Sequence, residues 1–109
     1  MIRGEDFHQV DIRVGKVTDV EEFPEAINPS YTLEIDFGPL GMKKSSAALR
    51  PWYKPEDLLG RLVVAVVNLP QKQIATFKSD VLVLGAVQAD GRVLLLKPDR
   101  PSELGARVA

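Results

Sequence analysis

The run Leu62-Val63-Val64-Ala65-Val66-Val67-Asn68-Leu69-Pro70-Gln71-Lys72-Gln73-Ile74-Ala75-Thr76-Phe77-Lys78-Ser79-Asp80-Val81-Leu82-Val83-Leu84-Gly85 holds two apolar segments on either side of a polar, basic insert. Each apolar segment is short, rich in Val and closed by Gly or Pro, a pattern that predicts buried strands rather than a helix. The insert gathers Lys72, Gln73, Phe77, Lys78 and Ser79 in a connection pinned at both ends by core strands. A loop held in that way presents donors and a flat ring to a ligand at little ordering cost. A solvated strand connection has the same composition, so both uses stay open.

Toward the N-terminus, Val10-Asp11-Ile12-Arg13-Val14 alternates apolar with polar and places Val10, Ile12 and Val14 on one side of a strand. The register changes at Gly15 and Val17 resumes the inward set. A glycine that interrupts an alternation predicts a bulge or a sharp bend. Phe23–Ser30 is a loop by its prolines, Asn28 and Ser30. Tyr31–Phe37 then alternates strictly, with Tyr31, Leu33, Ile35 and Phe37 inward, and Gly38-Pro39-Leu40-Gly41 is a turn. The strand predicted over Lys43–Leu49 carries small side chains. They form either a shallow floor that admits a base, a ligand backbone or another chain, or simply a tightly packed wall.

Pro55–Gly60 reads as a short helix, with Pro at its first position, acids in its first turn and Gly as its stop. Ala89-Asp90-Gly91-Arg92 is a tight turn joining Val81–Val87 to Val93–Leu96. The tail from Pro98 to Val108 has too little apolar content to fold alone.

A chain of 109 residues suffices for one domain and is too short for two with proper cores, and many small domains of this kind gain stability by dimerising. With no cysteine there is no disulfide, no thiolate zinc site and no Cys nucleophile. Met1–Asp6 carries no apolar signal core and no apolar run approaches membrane-spanning length. The expectation is a soluble cytoplasmic protein without membrane insertion. The net charge of −1 hides an asymmetry. Up to Leu40, three bases oppose nine acids; from Lys43 through Lys78, seven bases oppose two acids. A nearly neutral domain can carry a basic face in this way.

His8 is the only histidine, which excludes a His-based triad or a two-histidine metal site within one chain. Ser45 and Ser46 lack the Gly-x-Ser-x-Gly context, and the glycine spacings make neither a P-loop nor a dinucleotide fingerprint. No catalysis, cofactor or metal is expected. Arg50, Trp52 and Tyr53 follow the small-residue strand, and Phe77 stands among bases. Aromatic faces beside cations suit base stacking, worth about 1–3 kcal/mol per base. Trp52 and Tyr53 packed over the short helix as core is the alternative.

These segments together resemble the tRNA-binding domain family. Asp11-Ile12-Arg13-Val14-Gly15 matches the family's start closely. Downstream, Asn68 and Leu69 match an Asn-Leu pair, Lys72 falls at a basic position, Ile74 stands for a Met, and Ser79 matches a Ser. Ala75 sits where Arg is common, and Val81-Leu82 replaces Gly-Met. Those departures are the ones associated with the family's CsaA-type branch, described as export-related chaperones.

The resemblance implies an all-β fold: a five-stranded OB-fold barrel with a short helix plugging its open end. It also implies a C-terminal extension, from about residue 98 to 109, that mediates homodimerisation. The implied function is binding of tRNA through Asn28, Lys43, Lys44, Arg50, Lys72, Lys78 and Ser79, with two faces across a dimer axis binding more tightly than one. A chaperone-like role in protein export is implied beside it, with unfolded precursor proteins and the export machinery as partners. An apolar groove of Trp52, Ile74, Phe77 and Leu82 would serve that role. A pure preprotein-binding chaperone with weak or no tRNA affinity is the alternative.

Overall fold

The computed structural model describes residues 1–50 and 52–109. Strand β1 (Ile12–Phe23) is twelve residues long and serves two neighbours in turn. Its first part, Ile12–Lys16, pairs antiparallel with β4 (Leu62–Val66), and Lys16–Phe23 pairs antiparallel with β2 (Ser30–Asp36). β2 pairs in turn with β3 (Met42–Ala47), and β4 with β7 (Leu82–Val83), so the sheet runs β3-β2-β1-β4-β7. The sheet curls until its edges meet. The Lys44 carbonyl accepts the N–H groups of Asp80 at 2.7 Å and Val81 at 3.4 Å. The Ser45 hydroxyl, fully buried, donates to the Val81 carbonyl at 3.1 Å. This is the OB-like barrel expected.

The barrel interior holds Val17, Leu33, Ile35, Phe37, Leu49 and Val63. Its open end is closed by Leu58 of the short helix α2 (Pro55–Leu58), whose first turn is capped by the Asp57 carboxylate accepting the Lys54 N–H at 2.9 Å. Tyr53 belongs with this packing. Its carbonyl accepts from the Tyr31 hydroxyl at 2.7 Å, and its own hydroxyl accepts the Leu95 N–H at 3.0 Å.

The expected register change at Gly15 lies elsewhere. The β1–β2 register shifts between Val17 and Asp19, so Thr18 forms the bulge, while Gly15 and Val17 both face the interior by ordinary alternation. Gly15 answers to crowding instead: a Cβ there would stand 2.6 Å from Ile35 Cγ2 and 2.7 Å from Phe37 Cε1. Ile12 and Val14 therefore face the opposite side of the sheet. Ile12 joins Val64 and Val66 in a second apolar cluster with Leu84 and Val108. Val10 lies outside β1 and is exposed.

That second cluster gives the C-terminal tail its place. Where β2 leaves β1, the tail takes over the same edge, with the Val14 N–H bonded to the Ala106 carbonyl at 3.0 Å and the Val108 N–H to the Ile12 carbonyl at 2.8 Å. Arg13 fixes it further: Nε donates to Asp11 Oδ1 at 2.7 Å and Nη1 to the Gly105 carbonyl at 3.0 Å. The Asp11–Arg13 pair of the family's opening motif is thus the peg on which the tail hangs.

Two further expectations need correction. The insert between the apolar segments is a ribbon rather than a loop, with β5 (Lys72–Ile74) paired antiparallel with β6 (Phe77–Ser79). Its strands of three residues are too short to show a period. Beyond β7, the segment expected to run unbroken to Val87 splits, and β8 (Gly85–Val87) pairs with β9 (Val93–Leu95). Gly85 marks the split, because a Cβ there would collide with Val93 Cγ1 and lie 3.0 Å from the Leu94 carbonyl oxygen. A five-residue helix α1 (Gly4–His8) buries no residue and left no periodic signal. Asn68 locks the chain that follows it, accepting the Asp11 N–H at 2.9 Å and donating to the Gln9 carbonyl at 2.7 Å.

Candidate nucleic-acid interface

The ribbon β5–β6 stands off the barrel beside β3, and Asp80 holds it there. Its carboxylate accepts the Lys44 N–H at 3.0 Å and the Gln71 side-chain amide at 2.6 Å, while its own N–H goes to the Lys44 carbonyl. Partial burial pushes the Asp80 carboxyl up. The hydrogen bonds from Gln71 and Lys44, with the charges of Lys43 and Lys44, outweigh that and hold its pKa below the ordinary value. Ser79 continues the attachment. It is buried, its hydroxyl donating to the Val81 carbonyl at 3.2 Å and accepting the Ser46 N–H at 3.3 Å. That hydroxyl serves the frame.

Alternation divides the lysines. Lys72 pairs with Ser79 and Gln73 with Lys78, so Lys72 and Lys78 leave opposite faces of the ribbon. Lys43 and Lys44 are successive in β3 and likewise leave opposite faces. Lys44 and Lys78 come together on one side, bordering a depression of about 400 Å³ with Thr76, Phe77 and Asp80. On the other side Lys72 borders a second cleft of about 400 Å³, whose apolar wall is Leu69, Pro70, Ile74 and Leu82. Asp80 is common to both.

Phe77 is half-buried against Phe23, their ring centroids 5.5 Å apart, so one face of its ring is already taken. Beyond it lies an acidic wall of Asp19, Glu21 and Glu34 beside Lys44. Trp52, expected with Ile74, Phe77 and Leu82, sits elsewhere. It borders a depression of about 270 Å³ with Asn28, Arg50, Ala48 and Val93. Arg50 is held over the Tyr31 ring at 5.9 Å and reaches Glu22 at 3.4 Å, and Trp52 remains 40% exposed. An exposed indole, a guanidinium and a carboxamide around one hollow can stack a base and hydrogen-bond its edge.

Sequence reading missed Asp80 and Gln71, which set the ribbon, and it picked out Asn68 only as a motif match, without its role in tying down the N-terminal segment. The Ser-Asp step just before the apolar Val81-Leu82 was the available signal for Asp80, since such residues satisfy stray backbone N–H groups. Among the described residues, no three His, Cys, Asp or Glu side chains converge as a metal site would. No helix among them is long and apolar enough to cross a membrane.

The tRNA binding domain family model matches residues 12–107. The chain is 38% identical over 107 residues to the methionine–tRNA ligase of Pyrococcus abyssi, covering 98% of this chain and 14% of that one. Among solved structures, the chaperone CsaA of Bacillus anthracis str. Ames superposes with a TM-score of 0.95 at 52% identity, covering 100% of this chain and 99% of its own. The CsaA chaperone of Picrophilus torridus gives 0.94 at 50% identity, with 100% of both chains covered. The matched family is a binding domain and not a catalytic one.

Proposed function

Because this chain belongs to the tRNA-binding domain family, we propose that it is a CsaA-like, non-catalytic protein that binds tRNA and serves as a chaperone in protein export. The observation that carries the RNA reading is the Lys44–Lys78 depression beside the ribbon. Among the described residues neither lysine is engaged in an ion pair, and the clasp at Asp80 fixes the backbone that presents them. Phosphates would lie over Lys44 and Lys78, releasing counterions, and an unstacked base would enter the hollow of Asn28, Arg50 and Trp52. Lys43 and Lys72 add charge from the flanking faces.

A second reading has its own observation. The cleft walled by Leu69, Pro70, Ile74 and Leu82 is apolar and open, with Leu82 51% exposed. It would take an apolar side chain of an unfolded precursor, with Lys72 at its mouth, and the export machinery would receive the complex. In this reading the protein is a homodimer acting in the cytoplasm, joined through the segment from about residue 98. Two binding faces then engage one polymer.

Titration of labelled tRNA and of an extended apolar peptide, each at two salt concentrations, tests both. Affinity for tRNA is expected to fall steeply with salt and affinity for the peptide to change little. Absence of tRNA binding at low salt would remove the first reading and leave the preprotein chaperone. Absence of peptide binding would remove the second.

A further inference from the structure

The ribbon has one edge occupied and one open. Only Ala75 and Thr76 connect its strands, so the flanking pair Ile74–Phe77 exchanges both backbone hydrogen bonds. By the alternation of an antiparallel ladder, Lys72–Ser79 does the same and Gln73–Lys78 exchanges none. The N–H and C=O groups of Gln73 and Lys78 therefore point away from the ribbon, and those of Gln71 and Asp80 follow the same parity. On the β6 side these groups meet β3, where the Asp80 N–H reaches the Lys44 carbonyl at 2.7 Å. On the β5 side they meet nothing. Among the described residues, no backbone hydrogen bond beyond the ribbon's own ladder engages Gln71 or Gln73, and both residues are exposed. Two N–H and C=O pairs thus stand about 7 Å apart along an open edge, the spacing at which a further strand pairs.

That edge borders the cleft of about 400 Å³ walled by Leu69, Pro70, Ile74 and Leu82. Lys72 and Ile74 share the ribbon face that looks into it. An extended chain paired with β5 would therefore send every second side chain toward the cleft. In strand addition of this kind the main chain supplies affinity and a pocket for alternate side chains supplies selectivity.

Charge decides the occupant. Asp80, the acid of this cleft, is already bonded to the Lys44 N–H and the Gln71 side-chain amide. Lys72 at the mouth has no ion pair among the described residues. A second copy paired edge to edge would set Lys72 and Lys78 of the two ribbons against each other. RNA phosphates only accept hydrogen bonds and cannot satisfy the outward carbonyls. A polypeptide offers both donor and acceptor at the strand repeat, and an acidic side chain on it would answer Lys72.

We propose that β5 takes an additional antiparallel strand from an unfolded polypeptide, with an apolar residue over Ile74 and an acidic residue two positions on, beside Lys72. Antiparallel is the sense of every strand ladder described in this chain. The proposal rests on the precursor-binding reading above and names the pattern that site selects.

A short labelled peptide with the core Val-Thr-Glu between Gly and Ser residues is the probe, its binding followed by anisotropy. In the paired register the Thr N–H and C=O meet Gln73, whereas the Glu N–H points away. N-methylation of the Thr amide is expected to weaken binding about tenfold, and N-methylation of the Glu amide to change it less than about twofold. The peptide is expected to slow hydrogen exchange at the Gln71 and Gln73 amides and to leave Ile74, already bonded within the ribbon, unchanged. Lys72→Glu, at an exposed position, is expected to turn the preference from Val-Thr-Glu to Val-Thr-Lys. Peptide binding indifferent to both methylations, with Gln73 exchange unchanged, would overturn strand addition and leave a cleft that takes an apolar side chain alone. A peptide that does not bind at all would remove the precursor-binding reading and the proposal with it. Slowing of the Gln71 and Gln73 amides by tRNA and not by the peptide would give the edge to RNA and overturn the proposal.

Discussion

Replacing Gly15 by alanine adds one methyl group on the interior face of β1, where the strand pairs with β4 and faces the Ile35 and Phe37 side chains. The backbone there is ordinary extended strand, so a Gly→Ala change should by itself stabilise the chain by about 0.5–1 kcal/mol through the unfolded state. The new carbon, however, would stand 2.6 Å from Ile35 Cγ2 and 2.7 and 2.9 Å from two carbons of the Phe37 ring. All three atoms belong to fully buried side chains, which cannot swing into solvent. Overpacking of this kind costs about 1–3 kcal/mol, so the net loss centres on about 1 kcal/mol and reaches at most about 2.5 kcal/mol. For a chain of this size that lowers the melting temperature by roughly 4–8 °C per kcal/mol. Urea unfolding followed by circular dichroism measures it directly. Adding Phe37→Leu should restore part of the loss in a double-mutant cycle, because it removes the clashing ring Cε1 and leaves δ carbons that can rotate away. A Gly15→Ala protein as stable as the wild type, or more so, would refute the steric account.

Three further outcomes are expected. Because the folded-state pKa of Asp80 is depressed below its ordinary value near 3.8, its contribution to stability is present above that pH and lost as the pH falls through the folded value. The stability gap between wild type and Asp80→Asn should therefore be widest near neutrality and narrow below about pH 4, as read by urea titrations over pH. Ala75 turns the ribbon at a φ of +53°, where glycine is at ease, and Ala75→Gly should raise stability by about 0.5 kcal/mol, measured by thermal melting. Trp52→Ala should weaken tRNA binding by about 1–3 kcal/mol while the melting temperature stays nearly constant, as anisotropy and calorimetry would show.

Much of the barrel was legible because its strands are long enough to show a period. Tyr31–Phe37 alternates over a whole strand, and Leu62–Val66 is a continuous apolar run buried on both faces. The Thr18 bulge was not legible, since nothing distinguishes that threonine from its neighbours, whereas Gly15 attracted the bend although its reason was Phe37, twenty-two residues away. The tail looked unable to fold alone, and it docks on the barrel through the Asp11–Arg13 pair at the other end of the chain. The site was legible in part. Lys44 and Lys78 meet as a basic face requires, and Trp52 parts from Ile74 and Leu82, lining the hollow of Asn28 and Arg50 while they line the cleft beside Lys72. The opposition of Lys43 and Lys44 was readable from strand alternation alone.

The central claim is that a fixed basic ribbon on a small barrel docks tRNA without performing a reaction. Fluorescence anisotropy with labelled tRNA, comparing wild type with Lys44→Ala/Lys78→Ala over a salt series, tests it most directly. The account predicts weaker binding in the variant and a slope of log K against log salt lowered by about two, with the fold unchanged. Identical affinity and slope in the two proteins would contradict it.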